Sequence, residues 1–407
     1  MSRAGQRLAF WTVAALFFAW GFVTANNDPL LVALKTAFTL SYSQALLTQI
    51  VFFLAYGLLS LPAAWLSARI GPADAIIGSL AVMAAGCAAV ALGTGAGGYG
   101  PILAALFVIA AGFTALQVAA NPLAAELGDA KGRHFRLNLA QALNSLGVVL
   151  GVHFGSRLML GGSPDVAGAA SRAALLGAVA SAFWTMAAML GALLLLFALL
   201  RRRIAATAPV QPVPAGMFDA LRSRWAIAGA VAIGLYVGAE VSIGSILINF
   251  LGQPSILGVS AAAAGALAAN LYWGGALVGR IVGTALLTRL AAAPLLAGCG
   301  VAAAALSLVV LVADGPVAGY AALAIGLANS IMFPTIFSLT LERSGVAQSA
   351  TSGLLCLAIF GGALLPWTVG RIADRLGLGA SFAVPLAAYL VIVAFALAAN
   401  RRKESPC

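Results

Sequence analysis

Two carboxylates and a series of amides stand inside apolar runs of this sequence, where polar side chains are expensive. Asp28 follows Asn26 and Asn27 and precedes Pro29 near the end of the run 8–34. Glu240 sits mid-way along the run 224–251, flanked by Gly238, Ser242 and Gly244. A charge at the centre of a bilayer-spanning helix costs about 2.5–3.5 kcal/mol on the translocon scale. Asp28 in a cavity can take up and release a proton and accept from a hydroxyl. The alternative is a helix-end carboxylate among outer headgroups, paired with Lys35. Glu240 reads either as a second titratable or substrate-contacting group or as a structural partner of Arg280.

The amides fall into helical patterns. Asn138, Gln141, Asn144 and Ser145 recur at spacings of three and four, which puts them on one face of a helix; His153 lies further along roughly the same face. Gln117 and Asn121 are one turn apart. Asn27 neighbours Asp28, Asn249 follows Glu240 in the same run, and Asn270 stands three residues before Trp273, with Tyr272 between them. A side-chain amide both donates and accepts, which is what recognition of a neutral polyol requires, and an aromatic ring can stack on the apolar face of a sugar. The competing reading of the amides is interhelical bonding worth about 0.6–2 kcal/mol each. That of Trp273 is packing or an interfacial anchor.

These residues must be carried on membrane helices. Of 407 residues, 62% are hydrophobic and 8% charged, against roughly 25% charged in soluble domains. Apolar runs long enough to span a bilayer, about 20 residues, recur near 8–34, 44–68, 73–94, 101–127, 135–160, 174–200, 224–251, 258–289, 292–313, 317–342, 347–370 and 380–400. Alternating period-2 segments are absent, which argues against a transmembrane β-barrel. The expected fold is an all-α membrane protein of twelve transmembrane helices. The longest polar interval, 201–223, contains Arg201, Arg202, Arg203, Pro212 and Pro214. It reads as a cytoplasmic linker between an N-terminal six-helix half, 1–200, and a C-terminal half, 224–407. The first apolar run is long and lacks a small-residue cleavage site, so it reads as a retained helix rather than a signal peptide.

The net charge of +11 invites a nucleic-acid reading, but the basic residues sit at helix ends rather than on one face. Positive residues retained on the cytoplasmic side explain them better: Arg69, Lys131, Arg133, Arg136, Arg201, Arg202, Arg203, Arg343, Arg402 and Lys403 fall inside when both termini are cytoplasmic. The expected location is the inner membrane, crossed many times. No P-loop, nucleophile–base arrangement or C-x-x-C pair occurs, and Cys87, Cys299, Cys356 and Cys407 read as three small core residues and a tail thiol. An enzyme, a metal, a cofactor and a nucleic-acid partner are therefore not expected. The expected partners are a small-molecule sugar, protons and the lipid bilayer, with the chain a monomer.

Six plus six helices around a basic loop is the layout of the major facilitator fold, in which substrate binds near the midplane. The polar interruptions concentrate on helices 1, 4, 7 and 10, the first helix of each three-helix repeat. Several segments resemble the fucose–proton symporter family of that superfamily, including its glucose/galactose branch: Phe18-Ala19-Trp20-Gly21-Phe22 leading to Asn27-Asp28, Ala119-Ala120-Asn121-Pro122, His134 through Gln141 followed by Asn144-Ser145, and Tyr236-Val237-Gly238-Ala239-Glu240-Val241-Ser242. The resemblance implies Asp28 as a proton-coupling or sugar-binding carboxylate and Gln141 and Asn144 as sugar ligands. Gln117 stands where the fucose transporter has a glutamate. An amide carries no proton, which leaves Asp28 alone, or Asp28 with Glu240, for coupling. The implied function is proton-coupled uptake of a monosaccharide, glucose, galactose or a related hexose, by alternating access. The alternatives are a uniporter or sodium-coupled sugar carrier of the same fold, and a drug or lipid exporter.

Overall fold

The computed structural model describes residues 3–401 apart from 46, 97, 162–170 and 207–215. Pro212 and Pro214 of the expected linker, Arg402, Lys403 and Cys407 lie outside the described residues. Among those described, eleven helices are long and apolar enough to cross a membrane: α1 Leu8–Ala37, α2 Leu47–Ile70, α3 Pro72–Gly93, α4 Tyr99–Glu126, α5 Ala130–Leu160, α6 Arg172–Ala205, α7 Arg224–Gly252, then α9 Ala292–Val312, α10 Gly315–Arg343, α11 Gln348–Leu376 and α12 Ala380–Arg401. Between α7 and α9 lies α8, expected over 258–289. It runs as Ala261–Leu267, a π turn Ala268–Trp273, and Gly274–Leu286. The shortest of the eleven, α9, has 21 residues and rises about 31 Å, enough for a hydrocarbon core of about 30 Å. Large apolar side chains such as Leu58, Leu199, Val312 and Trp367 are more than half exposed. That suits a surface solvated by lipid tails, where such a patch carries no penalty.

Helix α6 extends past the expected end at 200 and includes Arg201–Arg203. Arg201 forms a two-pronged ion pair with Asp74 in the first turn of α3, one prong from Nη2 to Oδ2 at 2.7 Å. Arg202 and Arg203 lie in the last turn, where positive charge complements the negative end of the helix dipole.

Prolines lie in three of the helices that carry the polar residues, α1, α4 and α10. A proline has no N–H, so the carbonyl four residues earlier loses its helical donor. In α1 the helix divides at Asn26, two residues before Asp28 and three before Pro29; the Asn26 amide donates back to the Phe22 carbonyl at 2.7 Å. Helix α10 divides into Gly315–Asn329 and Met332–Arg343 just ahead of Pro334, and α11 divides before Gly361.

The chain forms two compact units. The first comprises residues 1–130, 140–218 and 347–357; the second comprises 131–139, 219–346 and 358–407. In the first, α1 and α5 approach at backbone distance along a glycine seam. A Cβ on Gly147 would strike the Phe18 carbonyl, one on Gly151 the Phe22 backbone, and one on Gly155 the Asn26 side chain and Pro29. In the second, α8 and α10 meet the same way: a Cβ on Gly326 would strike the Tyr272 carbonyl, and one on Gly279 the Leu327 carbonyl and the Ser330 side chain. Small residues at such contacts let helices close on one another in lipid, where no hydrophobic force drives them together.

Candidate binding site

In the first unit the amides of α4 and α5 converge. Gln117 and Asn121 are both buried, at 4% and 0% exposure. Gln117 Nε2 donates to the Tyr56 hydroxyl of α2, and Gln141 Nε2 donates to Asn121 Oδ1 at 3.4 Å. The other ends of the two α4 amides, Gln117 Oε1 and Asn121 Nδ2, are buried without a hydrogen-bond partner. One is an acceptor and the other a donor, a helical turn apart. Phe113, also on α4, packs edge-on against Trp20 and Tyr56, so an aromatic wall adjoins the amides. Pro122, next to Asn121, deprives the Val118 carbonyl of its helical donor, and the Ser352 hydroxyl takes it at 2.7 Å.

The four-residue face of α5 does not act as one set. Asn144 Nδ2 donates to the Phe17 carbonyl at 3.0 Å, across the glycine seam, and so braces α1. Ser145 donates to the carbonyl of Gln141. Asn138 belongs to the second unit, where its Nδ2 donates to the His134 carbonyl at 2.9 Å and to Thr335 Oγ1 at 3.3 Å. His153 is exposed and bonds the Val149 carbonyl one turn back.

Asp28 is exposed beside the α1 break, and no hydrogen bond or ion pair joins its side chain to another described residue. Asn27 Oδ1 and Asn26 Oδ1 are buried and unpartnered next to it. A cavity of about 360 Å³ in the same unit is lined by Arg69, Gly71, Asp74, Pro122, Gln348 and Ser349 among others. It contains none of the predicted site residues.

In the second unit Glu240 is the centre of a buried polar network. Tyr236, one turn earlier, donates its hydroxyl to Glu240 Oε1 at 2.8 Å. Tyr272, in the π turn of α8, donates to the Glu240 main-chain carbonyl at 3.2 Å and accepts from Asn329 Nδ2 at 3.2 Å. Tyr236, Tyr272 and Tyr389 are essentially inaccessible, and Tyr389 of α12 adjoins Asn329 and Glu240. Arg280 of α8 is the cationic neighbour of Glu240. Its Nε donates at 2.7 Å to the Ser330 carbonyl, the group that Pro334 leaves without a helical donor.

The π turn directs its side chains to opposite sides. Tyr272 points inward, whereas Asn270 and Trp273 are exposed. The Trp273 ring lies edge-on to Tyr272 at 5.0 Å and over Gly244, where a Cβ would come within 3.1 Å of it. Asn249 is exposed in the last turn of α7. Nine residues from Glu240, or about 13.5 Å along the axis, it stands apart from the network. The sequence patterns did not single out Tyr236, Tyr272, Tyr389 or Tyr56 as site residues. A further cluster, which the patterns also did not single out, joins His134 to Ser338 Oγ at 2.7 Å and to Glu342 Oε2 at 3.1 Å.

Long apolar helices with polar clusters in their interiors define a multi-pass helical membrane protein. The chain belongs to the Major Facilitator Superfamily, whose family model matches residues 9–366. It is 39% identical over 405 residues to the glucose/galactose transporter of Brucella abortus, covering 98% of this chain and 96% of that protein. It is 31% identical over 412 residues to the L-fucose-proton symporter of Escherichia coli strain K12, covering 96% and 92% respectively. The crystal structure of the E. coli fucose:proton symporter, FucP, matches 99% of this chain and all of that one, with a TM-score of 0.84 at 29% identity.

Proposed function

We propose that the protein is a carrier, not an enzyme, that takes up a hexose of the glucose or galactose type together with protons, by alternating access across the inner membrane. The observation that carries this reading is the pair of buried, unpartnered groups on α4, Gln117 Oε1 and Asn121 Nδ2. A buried polar group left unpaired costs about 1–3 kcal/mol. A sugar hydroxyl donates and accepts at once and would satisfy both. Relatives named for glucose, galactose and fucose support the same class of ligand.

In this reading Gln117, Asn121 and Gln141 are the centre of the sugar site, and Asn27 on α1 is a further contact. Asn144 contributes by holding α1 in place. Asn138, Asn249, Asn270 and Trp273 are further candidate sugar contacts. Asp28 carries the coupling proton, since its carboxylate is accessible and, among the described residues, not committed to a cation. Glu240 is the second coupling group. The six-helix halves 1–200 and 224–407, joined through 201–223, work as a monomer with both termini cytoplasmic.

The test is uptake of labelled hexoses into liposomes containing the purified protein, with an imposed inward proton gradient. Asp28→Asn should lose accumulation against a gradient but keep exchange of internal for external sugar. Undiminished accumulation in Asp28→Asn would remove proton coupling from this residue. Accumulation by the parent without a proton gradient would favour a sodium-coupled carrier or a uniporter, according to whether sodium drives it.

A further inference from the structure

We infer that Arg280 is a positioning residue for Glu240, and that its anchor is the Ser330 carbonyl that Pro334 leaves free. The inference rests on the carrier reading above and adds to it a residue and a backbone group that set the geometry of the second carboxylate.

Residue 334 of an ordinary helix would donate its N–H to the Ser330 carbonyl, and Pro334 has none. The chain turns at Ser330–Ile331, and with no N–H at 334 this carbonyl takes its donor from another helix. The α8–α10 seam supplies one. Gly279 lies so close to α10 that a Cβ there would meet the Leu327 carbonyl and the Ser330 side chain. Arg280, the next residue, is thereby brought to the break, and its Nε bonds the Ser330 carbonyl at 2.7 Å.

Guanidinium is a rigid planar fork. Fixing Nε on a main-chain carbonyl fixes the plane and direction of the remaining N–H groups. A lysine would keep the charge but not this geometry.

Among the described residues, the titratable and charged groups facing Glu240 are few. Tyr236 comes from its own helix, Tyr272 and Arg280 from α8, and Tyr389 from α12. Helix α10 contributes the neutral Asn329 and the Ser330 carbonyl. Helix α11 packs along Gly234 and Gly238 and presents Leu365 there. Arg280 is thus the one full cation among these groups, and it is held by α10 rather than by Glu240 alone. Movement of the α10 break would carry the cation with it. The charge state of Glu240 and the conformation of α10 are then linked through the Arg280–Ser330 bond.

The experiment uses Pro334→Ala and Arg280→Lys in the full-length protein, reconstituted in liposomes. Alanine at 334 restores an N–H for the Ser330 carbonyl and releases Arg280 without altering any charge. Lysine at 280 keeps the charge and loses the fork. Hydrogen bonds to charged groups contribute about 1.5–3 kcal/mol. Proton-driven accumulation of hexose should therefore fall by about tenfold or more in each variant. Sugar counterflow, which needs no net proton movement, should stay within about twofold.

Two results overturn the inference. One is full accumulation in both variants. The other is accumulation and counterflow falling in step in both, which is what a purely structural brace would give. Absence of counterflow in the parent protein with any hexose would instead sink the carrier reading itself.

Discussion

In two of its helices the molecule hands the carbonyl that a proline strips of its donor to a side chain, and it does so differently. In α4, Pro122 frees the Val118 carbonyl, and a neutral hydroxyl, Ser352, takes it. In α10, Pro334 frees the Ser330 carbonyl, and a guanidinium, Arg280, takes it. The surroundings follow suit. Around Pro122 the polar groups are amides, two of them with buried ends unpaired. Around Pro334 they form a chain from Asn329 through Tyr272 to Glu240, with Tyr236 on the carboxylate and a cation beside it. The first arrangement leaves hydrogen-bonding capacity for a ligand. The second puts most of its capacity on a charge, with Asn329 Oδ1 and the Tyr389 hydroxyl left unpartnered.

The largest expected effect comes from breaking the charged arrangement. Arg280→Met removes the cation and leaves Glu240 with only a tyrosine hydroxyl. Removing one partner of a buried pair costs about 3–5 kcal/mol, and the part-buried Glu240 belongs near the lower end of that range. The thermal midpoint in detergent should drop sharply, and Arg280→Met combined with Glu240→Gln should recover most of the loss. Failure of the double variant to recover would mean that the Ser330 bond, not the charge of Glu240, dominates.

Next in size is the seam that positions the amide side. Gly151→Leu drives a side chain into the Phe22 backbone. Overpacking costs about 1–3 kcal/mol where side chains can yield; here the obstacle is main chain, so the upper end or more is expected. Hexose transport should fall together with stability, since α1 carries Asp28. Normal stability and transport in Gly151→Leu would show that α1 and α5 need not touch there.

Asn121→Leu separates ligand capacity from stability. It deletes an unpaired buried amide donor and a long 3.4 Å bond from Gln141. Stability should change by less than about 0.5 kcal/mol, because the lost bond is weak and an unpaired group is removed. Apparent hexose affinity should fall by about tenfold, the equivalent of roughly 1.4 kcal/mol. Loss of stability with unchanged affinity would identify Asn121 as interhelical bonding rather than a ligand group.

The two regions also differ in how far the sequence discloses them. The helices are legible because apolar runs of bilayer length need no tertiary context, and the i, i+4 spacing of Gln117 and Asn121 places both on one face by helical geometry alone. The π turn of α8 is not legible, because Ala268–Trp273 carries no proline or glycine to mark it. The tyrosines of the Glu240 network are hidden for another reason. Tyrosine in a membrane helix reads first as an interfacial anchor; Tyr236 stands one turn before Glu240, but Tyr272 and Tyr389 come from two other helices that no spacing rule connects to it. The same limit applies to the α5 face. Its periodicity groups Asn138, Gln141 and Asn144 on one side, yet each bonds a different neighbour, because a single face can meet several helices along its length. The free Ser330 carbonyl is within reach of the sequence, since a proline at 334 orphans residue 330 by arithmetic alone. Its donor is not, because that depends on how closely Gly279 lets α8 approach.

The smallest effect tests the neutral side of the comparison. Ser352→Ala leaves the Val118 carbonyl buried with no donor in place of its 2.7 Å bond. A neutral hydrogen bond is worth about 0.5–1.5 kcal/mol net, and Pro122 prevents α4 from supplying a substitute. A loss of about 1 kcal/mol is therefore expected, with hexose affinity nearly unchanged because the hydroxyl holds backbone rather than ligand. Pro122→Ala in the same background should restore the loss, since the new N–H at 122 can take the Val118 carbonyl. The corresponding restoration at Pro334 leaves Arg280 without its anchor, so one and the same substitution should rescue one helix and uncouple the other. If Pro122→Ala also abolishes proton-driven accumulation, the two prolines serve a shared bend rather than different partners.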